Sequence, residues 1–202
     1  IAAFQRIQAF VEADPIRLNE YGKVILDQAK AIRARGGDAA ATFEEALSAF
    51  DRAIALRPHC AVARFNRAMA HWGRGGEMRA RGESPLPRYR EAVAAMDGLL
   101  ASRAGPPGAA YERALMYGEL GAELSARGDD PLAAWGEALS EYERMLAEDP
   151  NHLKATLNTA MVRHAQSTWK AANGQEPSAE FKLAAEAYGR AISLQPERWE
   201  FV

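Results

Sequence analysis

Apolar and polar positions recur along this chain with the period of an α-helix. In the segment Ala46–Ile54, the apolar residues stand at positions 46, 47, 49, 50, 53 and 54, and polar residues fill the remainder. Apolar residues three and four positions apart share one face of a helix, so the segment is predicted to be an amphipathic helix. Alanine, the strongest helix former, is abundant throughout, while β-branched residues are few. These features predict an all-α chain.

The same segment recurs at a constant spacing of 46 residues. Its first residue aligns without a gap as Ala46, Ala92, Ala138 and Ala184. The spacing also aligns the aromatic residues Phe43, Tyr89, Trp135 and Phe181, the small residues Gly22, Ala68, Ala114 and Ala160, and the glycines Gly36, Gly82, Gly128 and Gly174. Self-similarity at such a period is typical of solenoids built from repeated helical units.

Each repeat is predicted to fold as a pair of helices. The aligned glycine suits the left-handed position that ends a helix, and in three of the four repeats a proline follows three residues later at the start of the next helix, as in Gly82 and Pro85. We expect Ser84 and Asp130 to be N-caps. The first helices are predicted at about 17–35, 61–81, 108–127 and 152–173, and the second at about 39–56, 86–103, 132–148 and 178–194.

The second helix resembles that of a tetratricopeptide repeat. Ala138, Tyr142, Met145 and Pro150 have the spacing at which that family places small, aromatic, small and proline residues. The segments 65–68 and 157–160, Phe-Asn-Arg-Ala and Leu-Asn-Thr-Ala, resemble the family's aromatic-Asn-x-Gly segment. The family's tryptophan and leucine are missing, and each repeat is about 12 residues longer than the usual 34. We place the excess as extra helical turns on both arms of the hairpin.

The resemblance implies a single right-handed α-α superhelix, a solenoid of antiparallel helical hairpins that covers residues 1–202. A half repeat is predicted at 2–15, a tail at 197–202, and four full repeats at 16–58, 59–104, 105–150 and 151–196. Because the chain begins with Ile1 and half a repeat, we expect it to be part of a larger protein. The long repeats weakly resemble tracts attached to bacterial serine/threonine kinases.

Composition excludes several classes of function. The chain is 48% hydrophobic and 26% charged with a net charge of -2, which argues against disorder and against a nucleic-acid partner. Its one cysteine, Cys60, allows no internal disulfide, and no apolar run is long enough to predict a membrane span or a membrane partner. We expect a cytoplasmic, soluble protein.

The resemblance also implies where a partner would bind. First helices build the concave wall in such solenoids, and that wall receives an extended peptide or a partner helix. The predicted groove residues are Asn19, Glu20 and Lys23; Phe65, Asn66, Met69 and Trp72; Tyr111, Glu112, Leu115 and Glu119; and Lys154, Leu157, Asn158, Met161 and His164.

Some of these groove residues have two interpretations. Asn66 and Asn158 either hold a peptide backbone or hydrogen-bond within their own helix pair. Trp72, Met69 and Met161 either anchor a partner or pack in the core, and we favour the core for the two methionines.

The chain offers little for catalysis, and no cofactor, metal site or catalytic residue is predicted. The four histidines include no His-x-x-x-His pair, and Cys60 has no nearby acid-base triad in sequence. The glycines at 73, 75 and 76 lack the phosphate-loop pattern, and we attribute them to helix termination and an extended arm. We interpret Arg79, Arg81, Arg88 and Arg90 as a solvated hairpin tip.

The sequence therefore predicts a non-enzymatic scaffold that binds a protein or peptide in its concave groove, with a regulatory role in a signalling protein. The alternative is self-assembly, in which the apolar tail residues Trp199, Phe201 and Val202 join the uncapped last hairpin of a second copy.

Overall fold

A computed structural model describes residues 14–195, and all regular structure in this range is α-helical. The helices are α1 (Pro15–Ala34), α2 (Ala40–Leu56), α3 (Ala61–Ala80), α4 (Leu86–Ala101), α5 (Ala109–Ala126), α6 (Leu132–Glu148), α7 (Leu153–Ala172) and α8 (Ser178–Leu194). The predicted all-α class and the predicted eight helices are confirmed to within about two residues at each end. Residues 2–13 of the predicted half repeat at 2–15, and the whole predicted tail at 197–202, lie outside the described residues.

The aligned glycines end the first helices as predicted. Gly82 has φ of 76°, and Gly36, Gly128 and Gly174 have φ between 69° and 80°, a left-handed region in which a Cβ is strained. The amide of Gly82 donates to the carbonyl of Arg79 at 3.0 Å, and the amide of Glu83 donates to that of Met78 at 2.9 Å. This pair of bonds satisfies two of the last carbonyls of α3.

The N-cap prediction is wrong by one residue, because Pro85 and Pro131 occupy the N-cap themselves. Asp130 nevertheless satisfies a backbone N–H group at the start of α6, since its Oδ1 accepts a hydrogen bond from the amide of Leu132 at 2.8 Å. Glu176 does the same for Ser178 at the start of α8, at 2.9 Å. An acidic side chain there also interacts favourably with the positive end of the helix dipole.

The chain divides into two compact units, the first ending at Ala110 and the second beginning at Tyr111. In the first, α1 pairs with α2, α3 with α4, and α2 also contacts α3. In the second, α7 pairs with α8 and contacts α6, while Gly121 of α5 meets Trp135 of α6. The single superhelix over residues 1–202 stays a prediction.

The paired helices are antiparallel. Arg64, early in α3, lies beside Gly98, late in α4, whereas Gly75, late in α3, lies against Tyr89, early in α4. In the second unit, Lys170 near the end of α7 donates to Glu180 near the start of α8, at 2.6 Å.

Aromatic rings packed on buried glycines hold the hairpins closed. A Cβ placed on Gly22 would lie 2.7 Å from Cε1 of Phe50, and one on Gly75 would lie 2.6 Å from Cδ1 of Tyr89. Gly121 meets Trp135 in the same way. Gly75 and Gly121 belong to a second aligned set of small residues that sequence reasoning missed, which also includes Ala29 and Ser167. Each hairpin therefore has two aligned small positions, seven residues apart, and in each of the first three hairpins a glycine at one of them faces a ring of the second helix.

Helix α3 carries ring contacts from both of its neighbours. Gly73 faces the ring of Phe43 on α2, where a Cβ would lie 2.6 Å from Cε1, while Gly75 faces Tyr89 on α4. The guanidinium of Arg33 donates to the carbonyl of Gly73 at 3.0 Å. The expectation that these glycines terminate a helix is therefore wrong: α3 continues to Ala80, and two of its glycines admit neighbouring rings. The expectation that the first helix of this hairpin is lengthened is confirmed, since α3 spans 20 residues.

We expect Gly121→Ala to destabilise the protein by about 1–3 kcal/mol, because the added methyl would overlap the ring of Trp135 in a packed core. The matched control is Gly136→Ala in α6, where no atom lies within 4 Å of the new Cβ. That change should stabilise the protein by up to about 1 kcal/mol through helix propensity. Urea unfolding followed by circular dichroism measures both changes, and equal effects would contradict the ring-on-glycine account.

Candidate functional site

In the first unit, the side chain of Asn66 is engaged by a neighbouring helix. Its Nδ2 donates to Oδ1 of Asn19 on α1 at 3.0 Å. Asn19 is only 4% exposed, and its own Nδ2 donates to Oε1 of Glu20 at 3.3 Å. Three of the predicted groove residues are therefore brought together in one hydrogen-bonded chain between α1 and α3.

The equivalent asparagine of the second unit does the same. Nδ2 of Asn158 donates to the hydroxyl of Tyr111 on α5 at 3.0 Å, and the ring centroid of Tyr111 lies 6.2 Å from that of Tyr142. Burial raises the pKa of both tyrosines above the usual value, so the hydroxyls remain protonated. Both asparagines thus connect neighbouring first helices, which neither interpretation of the sequence anticipated.

A mostly apolar groove of about 570 Å³ lies in the second unit. It is lined by Ala122 and Ser125 of α5, Gly128, Trp135 of α6, Met161, His164, Ala165, Thr168, Trp169 and Ala172 of α7, Asn173, and Tyr188 of α8. Two of the predicted groove residues, Met161 and His164, line it. No Asp, Glu, Lys or Arg is among these lining residues.

Four ring-bearing side chains, those of Trp135, His164, Trp169 and Tyr188, contribute to the lining of this groove. The ring of His164 lies 6.3 Å from that of Phe181 and 6.4 Å from that of Tyr188. Met161 is 55% exposed, so the expectation that it packs in the core is wrong. The same expectation is confirmed for Met69, which packs against the core cluster of the first unit.

Sequence reasoning missed Trp135, Trp169 and Tyr188 as groove residues. Trp169 follows Met161 by eight positions and therefore falls on the same helix face, a signal that was available in the sequence. The predicted groove set follows the shorter tetratricopeptide repeat, so it ends at His164 and does not include the extra turns of α7.

The remaining predicted groove residues differ in exposure. Glu20, Lys23 and Lys154 are exposed; Phe65, Trp72, Glu112, Leu115, Glu119 and Leu157 are half-buried. Their role in partner binding stays a prediction.

The first unit contains a polar cleft of about 460 Å³ that the sequence did not predict. Its lining residues are Asp51 of α2, Arg64, Arg67 and His71 of α3, and Glu91, Ala94 and Ala95 of α4. Arg67 Nη1 lies 2.9 Å from Oδ1 of Asp51, and Nδ1 of His71 lies 3.0 Å from Oε2 of Glu91. The ion pair of Arg67 with Asp51 and the contact of His71 with Glu91 thus connect α3 to α2 and to α4.

Two arginines of the predicted hairpin tip are paired with acidic residues. Arg81 Nη1 lies 2.7 Å from Oδ2 of Asp38, and Arg88 Nη2 lies 2.7 Å from Oε1 of Glu44. The hydrogen bond from Arg81 holds the pKa of Asp38 below its usual value. Arg81 also lies 3.4 Å from Glu77, a buried carboxylate in α3.

The remaining candidates for chemistry have structural surroundings. Cys60 precedes α3, half-buried against Leu18 and Ala53. Nδ1 of His152 accepts a hydrogen bond from the amide of Ala155 at 3.1 Å and caps α7.

Within residues 14–195, no three His, Cys, Asp or Glu side chains are grouped so that they could hold a metal ion. None of the helices over the same range has the length and apolar character needed to cross a membrane.

No protein-family model and no curated protein matches this sequence. Among solved structures, the chain is similar to the MamA RS-1 ArsTM double mutant, with 16% identity, a TM-score of 0.46, and coverage of 93% of this chain and 79% of that one. It is also similar to YrrB, a TPR protein with an unusual peptide-binding site, with 16% identity, a TM-score of 0.33, and coverage of 96% and 93%. A further MamA structure has 13% identity, a TM-score of 0.35, and coverage of 91% and 97%.

The charged cleft makes folding sensitive to pH through His71. Burial lowers the pKa of His71 below its usual 6.5, and the nearby Arg88 and Arg67 lower it further, while Glu91 and Asp51 oppose them. The folded state therefore keeps His71 neutral at a pH where the unfolded chain takes up a proton. This part of the stability is fully present above about pH 6.5 and is lost as the pH falls through the lower, folded-state pKa.

We expect His71→Gln to flatten the decrease in unfolding free energy between pH 7 and pH 5, measured by urea unfolding at each pH. The control is His59→Gln, an exposed histidine in the turn before α3, which should leave the decrease in place. An unchanged slope in His71→Gln would show that this histidine does not cause it.

Proposed function

We propose that this protein is a non-enzymatic interaction scaffold that binds a peptide or a partner helix in the groove of its second unit. The observation that carries the proposal is the exposed Met161 in an apolar groove between Trp135, Trp169 and Tyr188. Aromatic residues and methionine are enriched at interface cores, and the unbranched methionine adapts to varied surfaces.

The lining of the groove defines the kind of ligand. A volume of about 570 Å³ lies within the usual range of binding sites and accommodates several side chains. Two polar groups at the groove are engaged by the backbone of α7, since Oγ1 of Thr168 donates to the carbonyl of His164 at 3.0 Å and Nδ2 of Asn173 donates to that of Trp169 at 2.8 Å. With no charged residue in the lining, the ligand is a segment that presents apolar side chains. On a helical ligand these would recur three and four positions apart.

The asparagines contribute to this function indirectly. Asn158 bonds Tyr111 and so connects α5 to α7, the two first helices that contribute to the groove. Replacing Asn158 would disturb the groove wall as well as any direct contact with a ligand. Such a variant therefore cannot distinguish a structural role of Asn158 from a binding role. A regulatory role within a larger cytoplasmic signalling protein is part of the same proposal and rests on the resemblance to kinase-attached tracts.

We expect Met161→Glu to weaken binding of a peptide selected against this protein from a random display library by about tenfold or more, because the change places a charge in the apolar groove. Fluorescence anisotropy with the labelled peptide measures the affinity. The matched control is Val62→Glu in α3, whose side chain is about as exposed as that of Met161 but lies in the first unit. Equal affinities for wild type and Met161→Glu would place the binding surface elsewhere.

Self-assembly is the second candidate function, and one observation favours it. Phe181 of α8 is 43% exposed, whereas its counterparts Phe43, Tyr89 and Trp135 are at most 3% exposed. Leu183 of the same helix is also exposed, and the preceding repeats have glutamate at that position, Glu45, Glu91 and Glu137. An exposed apolar face of this kind is typical of an interaction surface.

If α8 mediates self-assembly, Leu183→Glu should convert an oligomer to a monomer, because it restores at this face the charge that the earlier repeats carry. Light scattering coupled to size-exclusion chromatography measures the mass, with Val62→Glu as the control. Deletion of residues 197–202 tests whether the tail takes part. A monomeric wild-type protein would exclude this function.

A further inference from the structure

The second unit shows how one arginine position of the repeat is neutralised. Arg113 of α5 donates through Nη2 to a carboxylate oxygen of Glu141 on α6, and both side chains are mostly buried. Glu141 also accepts a hydrogen bond from Arg144 at 3.0 Å. The carboxylate is thus supplied by the second helix of the same hairpin.

The first unit has the same arginine without that carboxylate. At the 46-residue spacing, Arg67 corresponds to Arg113, and Ala95 corresponds to Glu141. The methyl group of Ala95 leaves open the polar cleft of about 460 Å³ that Arg67 and Ala95 both line. The space that the Glu141 side chain fills in one hairpin is therefore part of a cleft in the other.

Two guanidinium groups face this cleft with unused donors. Arg67 bonds Asp51 through Nη1 alone, and its buried Nε has no hydrogen-bond partner among the described residues. Arg64, one turn earlier on α3, lines the cleft with its Nη2 beside Gly98 of α4. Within residues 14–195, the guanidinium of Arg64 forms no hydrogen bond or ion pair.

The acidic residues of the cleft are already engaged. Asp51 accepts from Arg67 at 2.9 Å. Glu91 accepts from Arg88 at 3.0 Å and lies 3.0 Å from Nδ1 of His71. Arg67 and Arg64 therefore leave guanidinium donors unpaired at the cleft, and such donors bind carboxylate and phosphate groups strongly. A carboxylate is the group that the second unit places at the equivalent position, through Glu141.

We propose that this cleft is a binding site for a carboxylate supplied from outside the chain, held by Arg67 and Arg64 where the second unit uses Glu141. The carboxylate belongs either to an acidic side chain of a protein partner or to a free small dicarboxylate. None of the lining residues belongs to the predicted groove set, so the site goes beyond the proposed function.

The first test is of stability and needs no ligand. Ala95→Glu supplies an internal carboxylate at the place of Glu141, whereas Ala95→Gln has the same size without the charge. We expect Ala95→Glu to unfold about 2–4 °C higher than Ala95→Gln in differential scanning calorimetry. The difference should vanish when Arg67 is replaced by Gln. Equal unfolding temperatures for the two variants would overturn the proposal.

The second test is of binding, with glutarate and with a capped peptide that contains a single glutamate as probes. Titrations followed by the arginine Nε–H signals in NMR spectra should show saturable shifts. Arg64→Gln, a change on the wall of the cleft, should weaken binding about tenfold, and Ala95→Glu should abolish it. The matched control is the same peptide with glutamine in place of glutamate, which should not bind.

The two probes distinguish the sources of the carboxylate. Tighter binding of the glutamate peptide supports a protein partner, and equal or tighter binding of glutarate supports a free acid. Failure of both probes to saturate, or binding that both Arg64→Gln and Ala95→Glu leave unchanged, would overturn the proposal.

Discussion

The packing of an aromatic ring on a glycine or alanine of the facing helix is the contact on which the rest of this structure depends. Long helices need more than one such contact to stay closed, and each hairpin has two aligned small positions, seven residues apart. Gly22 meets Phe50 towards the open end of the first hairpin, and Gly75 meets Tyr89 towards the turn of the second. The candidate binding groove depends on the same kind of contact, because Trp135, whose ring packs on Gly121, also lines the groove of the second unit.

Polar contacts between first helices set what the groove can do chemically. Asn66 and Asn158 occupy equivalent positions, and each bonds the first helix of the preceding repeat, through Asn19 and Tyr111 respectively. A half-buried amide needs a partner, and in this fold the nearest one is on the neighbouring helix. Because these groups are engaged within the protein, the chemistry left in the groove of the second unit is predominantly that of Met161 and its aromatic neighbours.

The repeats differ most at positions that do not maintain the hairpin. The core positions keep small residues opposite rings, since any change there must be matched across two helices. Positions outside these contacts carry no such constraint, and the exchange of Glu141 for Ala95, or of Glu137 for Leu183, changes the local chemistry while the helices are kept. An ion pair in one repeat can therefore become an open cleft in another.

The sequence by itself determined the helices, their pairing and their ends, because these depend on local rules. Helical periodicity, the positive φ of Gly128 and the prolines after three of the four turns act within a few residues of one another. Only the tertiary structure decided the partners of the asparagines, the position of Gly73 within α3, and the different exposures of Met69 and Met161. Those outcomes depend on which helix lies alongside, and equivalent positions of a repeat have different neighbours. Both methionines end the same Asn-x-Ala-Met segment at equivalent positions of the repeat, but the packing around them differs.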